Sequence, residues 1–535
     1  MRKMLLLAIM TLAAATLAGA GAASAAPQTR PCGQVSACLP ITVKGPIPFD
    51  EKAGPPDNPI AKVVPNGYVS AEYFLSGTTN VFNYNHQPAF PRSAPGAGLV
   101  VRYANLPYTT RAFVVAPSDP AKFSGDVVIE FMNSSASFDS APEWIMSNAY
   151  FGRSGYAYIG VTTSANQSIA FLKGGCHAFG PSCGTRYASL QMTDNGQEYE
   201  IISDLVTALK SQSGIPASLG LGTVRRVYVS GHGQQGGSVI THANAFSFPL
   251  VDGYLISANV HARALGGLAQ PADLCGGQGA KPYPDCFATL PAGHDLIHTN
   301  LPMPINHLMT EADVIDLPNA LDGARYRQPD TDTAARASYR LVEIPATAHF
   351  VYANDEILPG VERDDPCTAK AYGIIKPIEG YQIANAMWRN MRRQVVAGTT
   401  PPNAPRITTD SRYRIVRDSL GNAEGGVRLP ELDAPTNSYY QTTNTGKPAC
   451  GSPGAPPPPA CEVAALALYT NLVCVKLGSY KPLSKDVIDF LYHHSHAAYV
   501  RDIAASAQAL HQAGFLEGLE VSEHIKEARA SGVAK

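Results

Sequence analysis

Short runs of β-branched and aromatic residues recur along this 535-residue chain and alternate with segments that carry apolar residues at helical spacing. The runs predict strands at residues 68–84 (as paired strands), 110–116, 126–131, 155–163, 227–230, 251–257, 303–314 and 339–350. Helical spacing predicts helices at about residues 143–151, 199–210, 381–396, 495–514 and 520–530. This alternation predicts an α/β fold with a mostly parallel central sheet and helices on both faces.

A glycine-rich turn links the strand at residues 227–230 to a stretch that can be helical from Gln235, and it reads Gly231-His232-Gly233-Gln234-Gln235-Gly236. The same letters fit two chemistries. One is the G-x-G-x-x-G dinucleotide fingerprint, in which glycines let the backbone approach a pyrophosphate. The other is a G-x-S-x-G-like nucleophile elbow, in which Gly233 stands at the nucleophile position and the Gln234 N–H would be an oxyanion donor.

The domain organisation follows from composition. Residues 26–66 are rich in Pro and Gly and predict an extended N-terminal arm. Residues 67–400 form the predicted α/β domain, with a β-rich N-terminal part and a Gly-rich insertion at 261–296. Residues 401–535 contain a Pro-rich tether and the last two predicted helices, and predict a C-terminal helical extension packed on the same domain.

The N-terminus has the pattern of an export signal. Arg2 and Lys3 precede an apolar run, and the small residues Ala23-Ser24-Ala25 form an A-x-A cleavage site. This predicts a signal peptide over residues 1–25 and a secreted or periplasmic protein. No later segment is apolar enough to span a bilayer, so we expect no membrane partner after cleavage. Near-balanced charge, with 41 Lys and Arg against 43 Asp and Glu, does not favour a nucleic-acid partner.

Ten cysteines in an exported chain predict disulfides rather than a zinc site, because none lies in a C-x-x-C with matching histidines. Four pairs are close in sequence: Cys32/Cys38, Cys176/Cys183, Cys275/Cys286 and Cys450/Cys461. Cys367 and Cys474 would then pair at long range. We expect no metal and no cofactor.

The context of the glycine turn favours the elbow over the dinucleotide site. A dinucleotide turn opens the first βαβ unit and is followed by an acid at the end of the next strand. Here the turn lies mid-chain, and the candidate acid Asp252 begins its strand. A nucleotide-binding oxidoreductase therefore stays a disfavoured alternative.

Further along the chain, an acid and then a histidine follow the turn. Glu311 and Asp313 end the run at residues 303–314, and His349 ends the run at 339–350. Nucleophile, acid and histidine in this order are typical of α/β hydrolases. Asn133, in the polar loop after the strand at 126–131, would supply the second oxyanion N–H, although a plain polar loop fits these residues equally well.

Several strings together resemble one family, the large secreted bacterial α/β-hydrolase-domain proteins whose elbow typically reads G-E-S-Q-S-A. They include DVVIEFMN, VDGYLIS, TEADV, EIPATAHF, GGVRLPELDAP and HAAYVRDIAASAQALHQAGFL, in this order along most of the mature chain. The resemblance implies the α/β-hydrolase fold, with His349 as catalytic base and Asp313 as acid. Glu311 is the alternative acid, and the nucleophile falls on Gly233, which departs from the family.

Glycine has no side chain with which to attack a substrate, so no covalent acyl-enzyme forms at this position. Ser230 and Ser238 are substitutes to consider, but one lies within the strand and the other lies more than a helical turn beyond the elbow. His232 is the variable residue of the elbow in this interpretation.

Three interpretations share hydrolase ancestry. In the first, the chain is a carboxylic-ester hydrolase scaffold with a degenerate triad that binds a small-molecule or polymer ester and is inactive or very weakly active. In the second, it is an active esterase in which His349 and Asp313 activate a water, or in which another serine attacks. In the third, glycine replaced the serine of an active parent by error or design. Substrate identity and oligomeric state stay open.

Overall fold

The computed structural model describes residues 40–50, 54–60, 63–84, 99–135, 138–175, 183–211, 214–246, 250–260, 296–314, 323–334, 336–349, 378, 380–440 and 478–535. Ten described strands form one sheet: β1 (Thr42–Lys44), β2 (Tyr68–Tyr84), β3 (Leu99–Pro117), β4 (Asp126–Phe131), β5 (Ala157–Val161), β6 (Arg226–His232), β7 (Gly253–Ser257), β8 (Ile305–Thr310), β9 (Thr331–Ala334) and β10 (Ala337–Ile344). A second, two-stranded sheet pairs β11 (Asn437–Tyr440) with β12 (Ser479–Pro482).

The large sheet has the order β1-β2-β3-β5-β4-β6-β7-β8-β10-β9. The six central strands are parallel to one another, and they are β5, β4, β6, β7, β8 and β10. The strands at both edges are antiparallel to their neighbours. The central strands β4, β5, β7 and β8 are buried along their whole length. Near-continuous apolar runs of this kind are expected of parallel strands that are covered on both faces.

Helices cover both faces of the sheet. The described helices of the α/β domain are α1 (Pro142–Ser154), α2 (Ala170–Lys173), α3 (Gln197–Lys210), α4 (Ile215–Ser218), α5 (Gln234–Ala245), α6 (Glu311–Val314) and α7 (Tyr381–Ala397). The inner faces of α3 and α5 belong to one apolar core. Those of α1 and α7, including Trp144 and Trp388, belong to the other. The structure therefore has the α/β class and the mostly parallel sheet that the sequence predicts.

The C-terminal part adds α8 (Pro430–Asp433), α9 (Lys485–Tyr492), α10 (His496–Gln512) and α11 (Gly518–Ala530). Tyr492 and Tyr499 stack edge to face with ring centroids 5.1 Å apart, in a third, smaller apolar cluster. His524 of α11 contacts Glu431 of α8 at 2.7 Å and Gln382 of α7 at 3.0 Å. These contacts hold the last helices on the α/β domain.

Residues 68–84 are one strand rather than the paired strands predicted from sequence. All of β2 pairs with β3, apart from register shifts near Val81. Its partner β3 is a separate strand, so alternation within residues 68–84 reflects the two faces of a single long strand.

Several predictions fall outside the described residues: the signal peptide, nearly all of the insertion at 261–296, and every cysteine except one. Cys183 is disulfide-bonded, and its partner is not among the described residues. All the cysteine pairings therefore stay predictions. No helix of the described segments is long and apolar enough to cross a membrane.

Candidate active site

The glycine turn lies at the carboxyl end of β6, where the strand meets α5. Gly233 has φ 57° and ψ −120°, a backbone conformation that glycine adopts without the strain of a side chain. Its N–H donates to Ser257 O at 2.9 Å, and its carbonyl accepts from Asn259 Nδ2 at 2.9 Å. A Cβ on Gly231 would come within 2.7 Å of Gln235 O, so only glycine lets the helix pack this closely on the strand.

The predicted acid and histidine meet beside this turn. Asp313 lies in α6, directly after β8, and His349 lies in the turn after the neighbouring parallel strand β10. The Nδ1 atom of His349 is 2.6 Å from Asp313 Oδ1, and both side chains are almost completely buried. Thr310 donates to the second oxygen, Asp313 Oδ2, from its N–H at 3.0 Å and from its hydroxyl at 2.5 Å.

These hydrogen bonds determine the charge of the acid. Burial alone would raise the pKa of Asp313, but His349 and the two donors of Thr310 outweigh it and hold that pKa below its usual value. An ionised Asp313 accepts a hydrogen bond from the N–H at Nδ1 of His349. The other ring nitrogen, Nε2, is then left as an acceptor, which is the form that a general base requires.

The Nε2 atom of His349 faces Gly233. A Cβ built on Gly233 would lie 3.2 Å from His349 Nε2 and 3.3 Å from Asn133 Nδ2, and these are its nearest described neighbours. A serine in this position would thus bring its hydroxymethyl group against the base. The structure brings together the three residues predicted as nucleophile position, base and acid, and the first of them is glycine.

Asn133 contributes a different donor from the one expected. Its backbone N–H donates to Ser140 O at 2.8 Å, because the two residues form a bridge that closes their loop. Its side-chain Nδ2 instead donates to His232 O at 2.7 Å and faces the nucleophile position. The next backbone N–H, that of Ser134, has no acceptor among the described residues.

Gln234, the expected oxyanion donor, lies at the start of the helix that follows the turn. It is the first residue of α5, and the first N–H groups of a helix have no intrahelical acceptor. Its N–H is therefore available at the positive end of the helix dipole, where a developing oxyanion is stabilised.

Of the alternative residues, Glu311 and Ser238 are bonded elsewhere, and Ser230 is buried within its strand. Glu311 is buried and accepts from Ala346 N at 2.6 Å and from Arg417 at 2.5 Å, and burial raises its pKa. The hydroxyl of Ser238 donates to Glu198 at 2.8 Å, on the buried side of α5. Ser230 is fully buried within β6. None of the three is placed as a triad member.

His232 has a structural role that the sequence did not reveal. Its Nε2 lies 2.9 Å from the backbone O of His349, and the two rings meet edge to face with centroids 4.8 Å apart. The variable residue of the elbow therefore supports the turn that carries the base. No signal in a single sequence points to this contact.

A second unpredicted residue lies beside the elbow. Gln167 belongs to a one-turn π-helix, Ala165–Ile169, a rare element that is frequent at functional sites. Its Oε1 accepts from Ser134 Oγ at 3.0 Å and from Gln234 Nε2 at 3.2 Å. Gln167 and Gln234 are partly exposed, so they form a polar edge beside the glycine turn.

A buried ion pair supports the loop that is closed by the Asn133–Ser140 bridge. Arg111 of β3 is fully buried and donates to Asp139 Oδ2 at 2.6 Å, next to the Asn133–Ser140 bridge. It also donates to Asp57 O at 2.8 Å and to Tyr187 OH at 3.0 Å. The sequence does not predict this network, because its members are far apart along the chain.

The geometry does not favour a cofactor site at the glycine turn. Asp252, the acid of the dinucleotide interpretation, precedes β7 and binds Val227 N and Lys210 Nζ, both at 2.8 Å. Since β6 and β7 are parallel, Asp252 lies at the opposite end of the strands from Gly233. Across the described segments, no group of three or more His, Cys, Asp or Glu could hold a metal ion.

Comparison with known proteins gives a family and no close relative. No curated protein matches the chain. Similar solved structures include Est1E from Butyrivibrio proteoclasticus, at 12% identity over 46% of this chain and 89% of that chain, with a TM-score of 0.25. A glucuronoyl esterase from Solibacter usitatus matches at 10% identity over 59% of this chain and 84% of that chain, with a TM-score of 0.28. Similarities this low carry no argument about chemistry.

The family model is the finding that decides the assignment. It is described as "Alpha/beta hydrolase domain" and matches residues 43–526, which include strands β2 to β12, helices α1 to α10 and part of α11. The chain therefore belongs to this alpha/beta hydrolase domain family.

Proposed function

We propose that the protein is an exported carboxylic-ester-binding member of its family that has lost covalent catalysis together with its nucleophile. The observation that carries this proposal is the position of Gly233, whose missing Cβ would lie 3.2 Å from Nε2 of His349. His349 and its acid partner Asp313 lie beside Gly233, which has no side-chain hydroxyl for the base to activate. An acyl-enzyme cannot form there.

The proposed ligand is an ester because the groups around Gly233 suit an acyl carbonyl. The Gln234 N–H, at the start of α5, would donate to the carbonyl oxygen, and the Ser134 N–H is the second candidate donor. His349 would contact the oxygen of the alcohol part. The ester can be a small molecule or the side group of a polymer.

Slow hydrolysis by a water is the second candidate, and the orientation of His349 favours it. Because ionised Asp313 holds the Nδ1 proton, Nε2 can accept a proton from a water beside Gly233. In hydrolases that lack a triad member, binding and the oxyanion donors alone leave about 10³–10⁴-fold catalysis over water. We expect turnover of this order at most.

Covalent labelling tests the loss of the nucleophile. We expect no mass adduct when the natural protein is incubated with a fluorophosphonate or with p-nitrophenyl acetate, and a single adduct with the Gly233→Ser variant. Thermal shifts with a panel of acetate, butyrate and aromatic-acid esters test binding. An adduct on a serine of the natural protein would contradict the proposal, and so would the absence of binding by every ester.

A further inference from the structure

One peptide plane joins Gly233 to Gln234, and its two polar groups point in opposite directions. Its peptide bond is trans, so the Gly233 carbonyl lies on one side and the Gln234 N–H on the other. The N–H is the proposed oxyanion donor, and the carbonyl accepts from Asn259 Nδ2 at 2.9 Å. A contact that fixes the direction of this carbonyl therefore also fixes the direction of the donor.

The bond from Asn259 is the shorter of two hydrogen bonds that the Gly233 carbonyl accepts. The helical bond from Gly237 N is 3.4 Å long, whereas the bond from Asn259 Nδ2 has an ordinary length of 2.9 Å. The peptide plane turns about the Cα–C bond of Gly233, where ψ is −120°, and glycine restricts this rotation less than other residues do. Of the described contacts, the one with Asn259 restrains the plane most directly.

Asn259 belongs to a short segment that holds the Gly233 backbone at two points. Ser257 O, two residues earlier, accepts the Gly233 N–H at 2.9 Å. Between them, Ala258 has a φ of 58°, a conformation that alanine rarely adopts, and its N–H donates to Leu308 O of β8 at 2.8 Å. This turn lets the Ser257 carbonyl and the Asn259 side chain both reach Gly233. Strain of this kind persists only where the surrounding structure holds it in place.

His307 of β8 fixes the backbone of Asn259. Its Nε2 lies 2.5 Å from Asn259 O, and because a carbonyl only accepts, Nε2 carries a proton. Its Nδ1 lies 2.9 Å from Tyr339 OH and accepts from that hydroxyl when the imidazole is neutral. Burial lowers the pKa of His307 to about 4, so the neutral form is present at pH 7. Hydrogen bonds thus link Tyr339 of β10 through His307 and Asn259 to Gly233.

We propose that Asn259 is a positioning residue for the oxyanion donor and that His307 holds it in place. Asn259 orients the shared peptide plane so that the Gln234 N–H faces the ester carbonyl. Its donation to Gly233 O also polarises the peptide and makes that N–H a stronger donor. The inference rests on the proposed ester site and deepens it, because it assigns residues outside the predicted triad that act when charge develops on the carbonyl oxygen.

The first test observes the Gln234 amide of the natural protein with no ester present. Labelling with ¹³C-carbonyl glycine and ¹⁵N-glutamine selects the amides of glutamines that follow a glycine, at positions 34, 197, 234 and 278. The signal that disappears in Gly233→Ser belongs to residue 234. We expect Asn259→Leu, which has nearly the same shape but no donor, to shift the ¹⁵N signal of Gln234 upfield and to leave that of Gln197 unchanged.

The second test measures kinetics in the Gly233→Ser protein. An oxyanion donor acts in the transition state, so Asn259→Leu should lower kcat for p-nitrophenyl acetate by about tenfold or more and leave KM within about threefold. His307→Phe removes the next link and should also lower kcat. His307→Gln keeps an Nε2–H that can donate to Asn259 O, and it should recover most of the loss. A change in KM alone would overturn the inference.

Asn244 provides the matched control. It lies at the other end of α5, and like Asn259 it donates from Nδ2 to a backbone carbonyl, that of Leu296 at 3.0 Å. Asn244→Leu should leave both the Gln234 signal and kcat unchanged. An unmoved Gln234 signal in Asn259→Leu, or an equal shift in Asn244→Leu, would refute the proposed orientation.

The two tests separate this inference from the proposed function. If Gly233→Ser is active and loss of Asn259 leaves kcat unchanged, the inference fails and the ester site stands. If Gly233→Ser is inert toward every ester, the proposed ester site fails, and the Gln234 signal of the natural protein still decides whether Asn259 orients the peptide plane.

Discussion

The Nε2 atom of His349 lies 3.2 Å from the place that a Cβ atom on Gly233 would occupy. His349, Asp313 and the Gly233 backbone thus have the arrangement that the proposed degenerate triad requires. Membership of an alpha/beta hydrolase family therefore agrees with the proposed loss of the nucleophile. Restoring a serine at position 233 tests this proposal.

The change Gly233→Ser should create, or raise by about 100-fold or more, the hydrolysis of small activated esters, because a nucleophile contributes far more than the remaining groups do. The new hydroxymethyl group must displace His349 or Asn133 by a few tenths of an ångström. Serine at a φ of 57° costs about 1–3 kcal/mol of stability. Initial rates with p-nitrophenyl acetate and the free energy of unfolding check both expectations.

The double variant Gly233→Ser with His349→Ala is the control for the repair. It should lose the gained activity, since a serine without its base is a poor nucleophile. The exposed His494, changed to alanine in the same background, should leave the activity unchanged. Equal activity with and without His349 would show that the gained serine works by another route.

Asp313 and Glu311 should behave differently in the Gly233→Ser background. Asp313→Asn should lower kcat by about 10⁴-fold, because the amide no longer holds His349 in the required tautomer. Glu311→Gln keeps the shape of the side chain, and because burial raises the pKa of Glu311, loss of its charged contact with Arg417 should lower the unfolding free energy by about 1–3 kcal/mol at most. Its kcat per folded molecule should stay within about tenfold. Steady-state kinetics and urea denaturation of both variants separate the two roles, and the reverse pattern would make Glu311 the acid.

The pair Arg111 and Asp139 should be strongly coupled. Arg111→Met leaves the buried carboxylate of Asp139 without its ion-pair partner and should cost about 3–5 kcal/mol of unfolding free energy. The double change Arg111→Met with Asp139→Leu should cost less than the sum of the single changes. A double-mutant cycle by urea denaturation measures the coupling, and strictly additive effects would show that the two residues act independently.

Stability should depend on pH through Glu200. This side chain of α3 accepts from Asn80 N at 2.5 Å and from Asn80 Nδ2, and burial raises its pKa to about 7. The folded state thus keeps a proton that the unfolded state releases above about pH 4.5. Its contribution to stability is fully present below that pH and is lost as the pH rises to about 7.

Glu200→Gln should remove this dependence. The difference in unfolding free energy, variant minus natural protein, should rise by on the order of 1–3 kcal/mol between pH 4.5 and pH 8. Urea denaturation at the two pH values gives the difference, and other titrating groups cancel between the proteins. The exposed Glu527, changed to glutamine, is the matched control and should show no such gain. A constant difference between the two proteins across this range would contradict the assignment.

The disulfide prediction is tested by peptide mapping without reduction. We expect a peptide that links Cys176 to Cys183, because the loop between them is short and Cys183 is disulfide-bonded. Short loops of this kind contribute a few kcal/mol through the unfolded state. A link from Cys183 to one of the distant cysteines would refute the local pairing.

Local patterns in the sequence were sufficient to predict most of the fold. The strand at residues 126–131 is observed with the same bounds, and the predicted helices at 199–210 and 381–396 differ from α3 and α7 by at most two residues. The glycine turn was also predicted correctly as the link between a strand, β6, and a helix, α5. These features depend on side-chain period and turn conformation, which neighbouring residues determine.

Only the tertiary structure distinguished Asp313 from Glu311. The two residues share one helical turn, and the choice follows from which carboxylate meets His349 and which meets Arg417, residues that lie 36 and 106 positions away in the chain. The side-chain role of Asn133, the contact of His232 with His349, and the support from Arg111 are decided in the same way. Each depends on a hydrogen bond between segments that are brought together by the sheet, and periodicity along a single chain carries no information about such contacts.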